Sequence, residues 1–162
     1  MFRKVVLVAS LAGLLGGCAQ RAYTVRAPFN PDSVSWALKT GSDILSGQAF
    51  MRTVGGDVKT CAGSPVALVP YDSYFSAVAQ ANVEGYSSIT NTDPRANAYV
   101  RKTKCDVQGG FSFSNLPTGQ WIVVTKVVWG VPNGYFVVPQ GGPLSLVADT
   151  SPSSDTKVLL TK

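Results

Sequence analysis

One stretch of the chain, Asp106–Val124, restricts the possible folds more than any other. It contains an alternating run that places Phe111 and Phe113 on one face of a strand. The connection Asn115–Gly119 follows, in which proline presets φ and the closing glycine can take a positive φ. A second strand, rich in Val and Ile, then starts at Trp121. The stretch therefore predicts a strand, a tight turn that ends in a glycine of positive φ, and a second strand.

The N-terminus is organised like a lipoprotein signal peptide. Arg3 and Lys4 precede an apolar run over residues 5–15, which is too short to span a bilayer comfortably. The letters LGGC at residues 15–18 resemble the bacterial lipobox, and this resemblance implies cleavage before Cys18 and acyl chains on its thiol. The alternatives are an ordinary signal peptide with an incidental cysteine, or a membrane anchor. Because no Asp follows Cys18, the resemblance to Gram-negative lipoproteins implies the outer membrane of the cell envelope.

Three segments are predicted on this basis. They are a lipoprotein signal peptide over residues 1–17, a lipidated tether over residues 18–42 and a folded domain over residues 43–162. Two X-Pro steps in the tether disfavour helix at the residues before them. Trp36, near the end of the tether, either docks on the domain or contacts a partner.

The predicted domain consists of short apolar runs between turns rich in glycine and proline. These runs predict seven or eight strands, including one over Ala98–Cys105 and one over Tyr135–Val138 that follows a turn at Gly130–Gly134. Apolar residues at helical spacing predict one short helix over Asp72–Glu84, with an acidic or serine N-cap and Gly85 at its end. Such a pattern is typical of a β-sandwich or a small barrel.

Several short motifs in this domain occur in a defined order. They are an apolar residue and a glycine in the first strand, a glycine turn, V-x-L, an acidic residue before F-x-F, L-P-x-G, and an aromatic residue that starts a valine-rich strand. The residues are Ile44, Gly47, Gly55, Gly56, Val66, Leu68, Asp106, Gly109, Gly110, Phe111, Phe113, Leu116, Pro117, Gly119, Trp121, Val123 and Val124. The order resembles that of the carboxypeptidase regulatory-like domain. This resemblance implies an all-β fold, a prealbumin-like or immunoglobulin-like antiparallel β-sandwich of about seven strands with one short inserted helix.

The chain has three cysteines, so acylation of Cys18 would leave Cys61 and Cys105 as a pair. The compartment beyond the inner membrane is oxidising, which favours a disulfide between them. Two buried free thiols are the alternative. A metal site is not expected, because the chain has no His and no closely spaced cysteine pair.

The residues give no pattern for catalysis. The absence of His excludes Ser-His-Asp and Cys-His arrangements. Pairs of carboxylates remain available in principle, but none of the Asp residues lies in a recognisable catalytic motif. No glycine-rich run has phosphate-loop spacing. We therefore expect a protein that is not an enzyme and needs no cofactor. The family resemblance implies the same, since this domain usually accompanies a catalytic domain or serves as a surface module.

Two kinds of binding partner fit a non-catalytic envelope protein. The first is another envelope protein, since edge strands accept an added strand and the Tyr and Trp content suits an interface. The alternative is a carbohydrate, stacked on exposed aromatic residues such as Trp36, Trp129 or Tyr135. Nucleic acid is not expected, because the net charge of +5 falls to about +3 without the signal peptide, and the basic residues of Arg101–Lys104 are typical of a solvated strand face.

Overall fold

Two four-stranded sheets form the body of the protein. The computed structural model describes residues 21–152 and 155–162, so Cys18 and the predicted signal peptide lie outside the described residues. The strands are β1 (Ala22–Thr24), β2 (Asp43–Arg52), β3 (Val58–Thr60), β4 (Pro65–Pro70), β5 (Ser88–Thr90), β6 (Arg101–Lys104), β7 (Gly110–Leu116), β8 (Gly119–Asn133), β9 (Phe136–Thr150) and β10 (Asp155–Thr161). The helices are α1 (Pro31–Val34) and α2 (Ser73–Val83), with 3₁₀ turns at Ser35–Leu38 and Pro94–Tyr99.

The first sheet is built around β2. β10 pairs with one edge of β2 in parallel, and β7 and then β3 pair with the other edge in antiparallel orientation. The second sheet has the order β6-β4-β8-β9 and is antiparallel throughout. A small parallel pair, β1 with β5, lies apart from both sheets. The prediction of an all-β sandwich with one short inserted helix is therefore confirmed, with eight strands in its two sheets.

The core lies between the sheets, where alternate residues of their strands point inward. Phe111 and Phe113 on β7 are both buried, with ring centroids 6.3 Å apart, so the predicted shared face is confirmed. On β8, Trp121, Val123 and Val127 are fully buried. Burial of these large apolar side chains supplies most of the driving force for folding.

Helix α2 covers the face of the second sheet that points away from the first. The Asp72 carboxylate accepts a hydrogen bond from the Phe75 N–H at 2.7 Å, which satisfies a free donor in the first turn. Gly85 follows the helix with a φ of +73°, as a residue that ends a helix commonly does. The predicted helix, with its N-cap and its terminating glycine, is confirmed.

The turn between β7 and β8 differs from the prediction. Gly119 is not among the described residues with positive φ, whereas Asn115, which lies before the turn at a register irregularity within β7, has a φ of +57°. Asn tolerates this conformation better than other residues with a Cβ. Gly119 is needed for another reason, because a Cβ there would overlap the six-membered ring of Trp36.

Two predicted strand boundaries are wrong. Residues Pro94–Tyr99 form a 3₁₀ turn, because Asp93 caps its first backbone N–H, and the strand begins at Arg101. β8 continues through the predicted turn at Gly130–Gly134, and the chain reverses at Gly134, which has a φ of +62°. The pairing of β8 with β9 continues through Pro132, which lies opposite Val137.

The predicted tether is part of the folded unit from residue 22 onward. Val25, Val34 and Ala37 are buried, and Phe29 packs edge-on against Tyr74, Phe75 and Tyr99. The sequence-based boundary at residue 43 therefore lies about twenty residues too late, because these apolar side chains cover α2 and the 3₁₀ turn that follows it. Residues 18–20 lie outside the described residues.

The predicted disulfide between Cys61 and Cys105 is present, with Cα atoms 5.8 Å apart. Cys61 follows β3 of the first sheet and Cys105 follows β6 of the second sheet. The bond therefore ties the two sheets together near one edge of the sandwich.

Candidate binding surfaces

A long hairpin, β8–β9, extends beyond the body of the sandwich. β4 pairs with β8 only over Trp121–Val124, whereas β9 stays paired with β8 from Gly119 to Asn133. We call residues 128–141 the ribbon. From Val128 to its tip the ribbon measures about 20 Å, at roughly 3.3 Å per residue.

The ribbon exposes apolar side chains on both faces. Tyr135 is fully exposed, and Phe136 and Val137 are 77% and 70% exposed. Val131 pairs with Val138 on one face, and Val137 lies across from Pro132 on the other. No Asp, Glu, Lys or Arg occurs between Lys126 and Asp149. A contiguous apolar surface of this kind is typical of a contact region rather than of a solvated loop.

Two prolines disfavour the pairing of another strand with the edges of the ribbon. Pro132 lies on β8 and Pro139 on β9, so each strand of the ribbon lacks one backbone donor. Prolines and short open edges are features that protect a sheet from the addition of another strand. Contact through the side-chain faces of the ribbon is therefore favoured over the strand addition that the sequence suggested.

The three aromatic residues predicted to bind a carbohydrate do not lie together. Trp36 packs against Trp121, with ring centroids 5.0 Å apart, so the structure places it on the domain. Trp129 is half-buried at the base of the ribbon, where its ring lies against Gly141. Tyr135 stands at the tip. Trp36 is beside Gly119, and the ten residues from there to Trp129 span roughly 33 Å of extended strand.

A second candidate surface is a cleft on the outer face of the second sheet. It has a volume of about 720 Å³ and lies between α2 and the 3₁₀ turn Pro94–Tyr99. Ala67, Val69 and Val124 form its floor, and Phe75 and Val78 of α2 form one wall. Asn82, Thr92, Asn97, Lys102 and Lys126 supply polar groups around it. Its size is within the range of about 300–1,000 Å³ that is common for small-molecule sites.

Charge is unevenly distributed around the cleft. Asp93, at the rim, is bridged by Arg95, whose Nη2 lies 2.7 Å and Nε 3.2 Å from Oδ2. The Arg95 side chain and, secondly, its backbone N–H hold the pKa of Asp93 below its ordinary value. Among the described residues, no carboxylate lies within ion-pair distance of Lys102 or of Lys126. The cleft therefore carries an uncompensated positive charge.

The described part of the chain holds no group of three or more His, Cys, Asp or Glu residues arranged to bind a metal ion. No described helix combines the length and the apolar character needed to cross a membrane. The proposed lipidation site, Cys18, is outside the described residues.

Neither surface was identified as a whole from the sequence, although Trp129 and Tyr135, which the sequence named as candidates, both lie in the ribbon. The absence of charged residues over residues 127–148 could have indicated the exposed ribbon. Gly130, Pro132 and Gly134 predicted a turn there instead, because glycine and proline commonly mark turns. The cleft combines residues from β4, α2, β6, β8 and β9 with the 3₁₀ turn between them, and no local pattern connects these segments.

Comparison with known proteins gives a similarity of fold. No protein-family model matches the sequence, and no curated protein matches it significantly. Among solved structures, a similar fold occurs in a Pseudomonas aeruginosa protein whose crystal structure is described as that of a "putative carbohydrate binding protein". The TM-score is 0.71 at 23% sequence identity, over 84% of this chain and 99% of that one. At this identity the similarity shows a shared fold alone.

Proposed function

We propose that this chain is a non-catalytic, lipid-anchored protein of the cell envelope whose ribbon binds another envelope protein. The observation that carries the proposal is an uncharged hairpin with apolar side chains exposed on both faces. Burying such a surface against a partner is favourable by roughly 25 cal/mol per Å² of apolar area before the costs of association. The lipobox-like residues 15–18 and the resemblance to carboxypeptidase regulatory-like domains support the anchor and the non-catalytic role.

The anchor is tested by metabolic labelling with an alkyne fatty acid. We expect label on the wild-type chain and none on Cys18→Ser. A Cys61→Ser/Cys105→Ser variant is the matched control, because it removes the other two cysteines and should keep the label. Equal labelling of wild type and Cys18→Ser would overturn the anchor without bearing on the ribbon.

The ribbon is tested by placing a photo-crosslinking amino acid at Tyr135 or Val137 of the intact chain in its native cells. Val54 and Val107 are control positions, since they are also highly exposed apolar residues but lie outside the ribbon. We expect one protein adduct of defined mass from the ribbon positions only. A Phe136→Ser/Val137→Ser variant should lose that adduct, whereas Val54→Ser/Val107→Ser should keep it. Adducts to phospholipid, or the same adducts from Val54, would contradict the proposal.

A carbohydrate-binding role is the second candidate. Exposed Tyr135 and the description of the Pseudomonas aeruginosa protein with a similar fold favour it. If it is correct, the purified chain is retained on envelope polysaccharide and Tyr135→Ala releases it. Retention of wild type and of Tyr135→Ala alike would exclude Tyr135 as the stacking platform.

A further inference from the structure

The cleft beside α2 is independent of the ribbon, and its floor is apolar. Ala67 and Val69 of β4 lie next to Val124 of β8 on the outer face of the second sheet. Val124 and Val78 are only partly covered, so apolar surface remains open to a ligand. Burial of this apolar surface against an apolar chain or ring of a ligand is favourable.

Two lysines converge on one part of this cleft. Lys102 and Val124 both pair with Ala67, from opposite sides of β4. Lys126 follows Val124 by two residues and therefore projects from the same face of the sheet. The two lysine backbones are offset by two strand spacings across the sheet, about 10 Å, and by two residues along it, about 7 Å, so they lie roughly 12 Å apart, a gap that their long side chains can close around one head group.

Among the described residues, no acidic group of the surrounding elements lies within ion-pair distance of Lys102 or Lys126. Asp93 is occupied by Arg95. The Asp72 carboxylate caps α2, and Glu84 accepts a hydrogen bond from the Gln80 side chain at 2.8 Å. An anionic group is therefore the complement of Lys102 and Lys126.

Aromatic stacking, in contrast, is not offered by this cleft. Its two aromatic residues, Tyr74 and Phe75, are each 3% exposed and direct their rings to Phe29. A neutral sugar in this cleft would therefore have no exposed aromatic ring on which to stack.

We infer that the cleft binds a single-chain amphiphile with an anionic head group. The apolar chain lies on Ala67, Val69 and Val124, beside α2, and the head group lies between Lys102 and Lys126. Both a free fatty acid and a lysophospholipid have this chemistry.

The location is tested with the full chain in nanodiscs and a dodecanoate that carries a diazirine. We expect labelled peptides from β4, α2 and β8 near Val124. Excess unlabelled dodecanoate or lysophosphatidylglycerol should compete, and the stronger competitor distinguishes the free acid from the lipid source. Labelling that is confined to the ribbon, or that Val124→Trp leaves unchanged, would overturn the inference. Ala67→Leu serves as a second space-filling variant if Val124→Trp does not fold.

The head-group contact is tested with Lys102→Gln/Lys126→Gln. Because ion pairs at partly exposed sites are modest, we expect dodecanoate labelling to require about fivefold more probe. The dodecanol analogue, which has no charge, should label both proteins alike. Lys39→Gln/Lys157→Gln is the matched control, since it removes two exposed lysines that do not line the cleft. An equal effect of the two double variants would assign the attraction to overall charge and overturn the site.

Discussion

At the scale of single residues, a small cluster around Trp121 joins the N-terminal segment to the sandwich. Trp36 packs edge-on against Trp121, and the Arg101 guanidinium lies 5.6 Å from the Trp121 ring centroid. The same guanidinium donates hydrogen bonds to the carbonyl oxygens of Ala37 and Lys39, at 3.0 and 3.2 Å. One cation thus fixes both the indole and the backbone that leads into β2.

Substitution of Gly119 tests this cluster. Gly119→Val should destabilise the fold by about 1–3 kcal/mol, because the added side chain displaces Trp36 from its contact. Urea unfolding followed by Trp fluorescence measures the effect. Gly142→Val is the matched control, since a Cβ there meets no atom within 4 Å, and its effect should be within about 0.5 kcal/mol. If both variants unfold at the same urea concentration, Trp36 does not pack as described.

At the scale of elements, β8 and β9 each contain two physically different halves. Trp121, Val123 and Val127 are packed in the core, whereas every residue from Gly130 to Gly141 is exposed. The same hairpin register continues through both halves. The body of the sandwich therefore holds one end of the hairpin rigidly and presents the other end to solvent.

Hydrogen exchange should distinguish the two halves. Amides of residues 130–138 have few buried neighbours, so we expect them to exchange at least about a hundredfold faster than amides of residues 121–127. Native-state exchange of the isolated chain, read by NMR, measures both sets at once. Equal protection would mean that the ribbon is covered in solution, as it would be by a second copy of the chain.

At the scale of the whole molecule, two features stabilise the sandwich in addition to its core. The disulfide Cys61–Cys105 connects the sheets, and residues 22–38 cover α2 and the end of the second sheet near Trp121. Phe29 is the central residue of this N-terminal segment because it contacts three buried aromatic rings.

Removing the disulfide should lower the free energy of unfolding by roughly 3–4 kcal/mol, according to the chain-entropy model for cysteines 44 residues apart. The comparison is between wild type and Cys61→Ser/Cys105→Ser in urea, each with and without reductant. Reductant should bring wild type to the stability of the variant and leave the variant unchanged. A variant as stable as the oxidised wild type would show that the bond adds nothing.

Phe29→Ala should destabilise the protein by about 3 kcal/mol, which is typical of a truncated buried Phe. Leu38→Ala, in the same segment but 54% exposed, should change stability by less than about 0.5 kcal/mol. Thermal unfolding by circular dichroism compares the two. If Phe29→Ala behaves like Leu38→Ala, the segment is a tether, as the sequence suggested, and not part of the fold.

Local patterns in the sequence were sufficient for several elements. The alternation around Phe111 and Phe113 fixed a strand face, the acidic cap and Gly85 fixed the limits of α2, and the count of cysteines predicted their pairing. Each of these features depends on residues close together in the chain or on the redox chemistry of a compartment.

Other features depended on contacts between distant segments. The requirement for glycine at position 119 comes from Trp36, eighty-three residues earlier in the chain, and not from its own φ. The burial of Val25, Phe29, Val34 and Ala37 depends on an apolar surface that α2 and the 3₁₀ turn create only when folded. The glycines and prolines of the ribbon suggested a turn, because sequence alone does not tell whether a strand edge is open.

The sequence by itself therefore determined the all-β class, the inserted helix and the disulfide, because periodicity, capping and cysteine number act over short distances or over the whole composition. The residue pattern left a sandwich and a small barrel open, and the ordered motifs of the family resemblance indicated the sandwich. Only the tertiary structure decided where the candidate binding surfaces lie. The ribbon exists because β4 stops pairing at Val124 while β9 continues, and the cleft exists because α2 leaves part of the outer sheet face open beside Lys102 and Lys126. Both depend on how far packed elements extend past one another, which is a property of the assembled layers and not of any single stretch of chain.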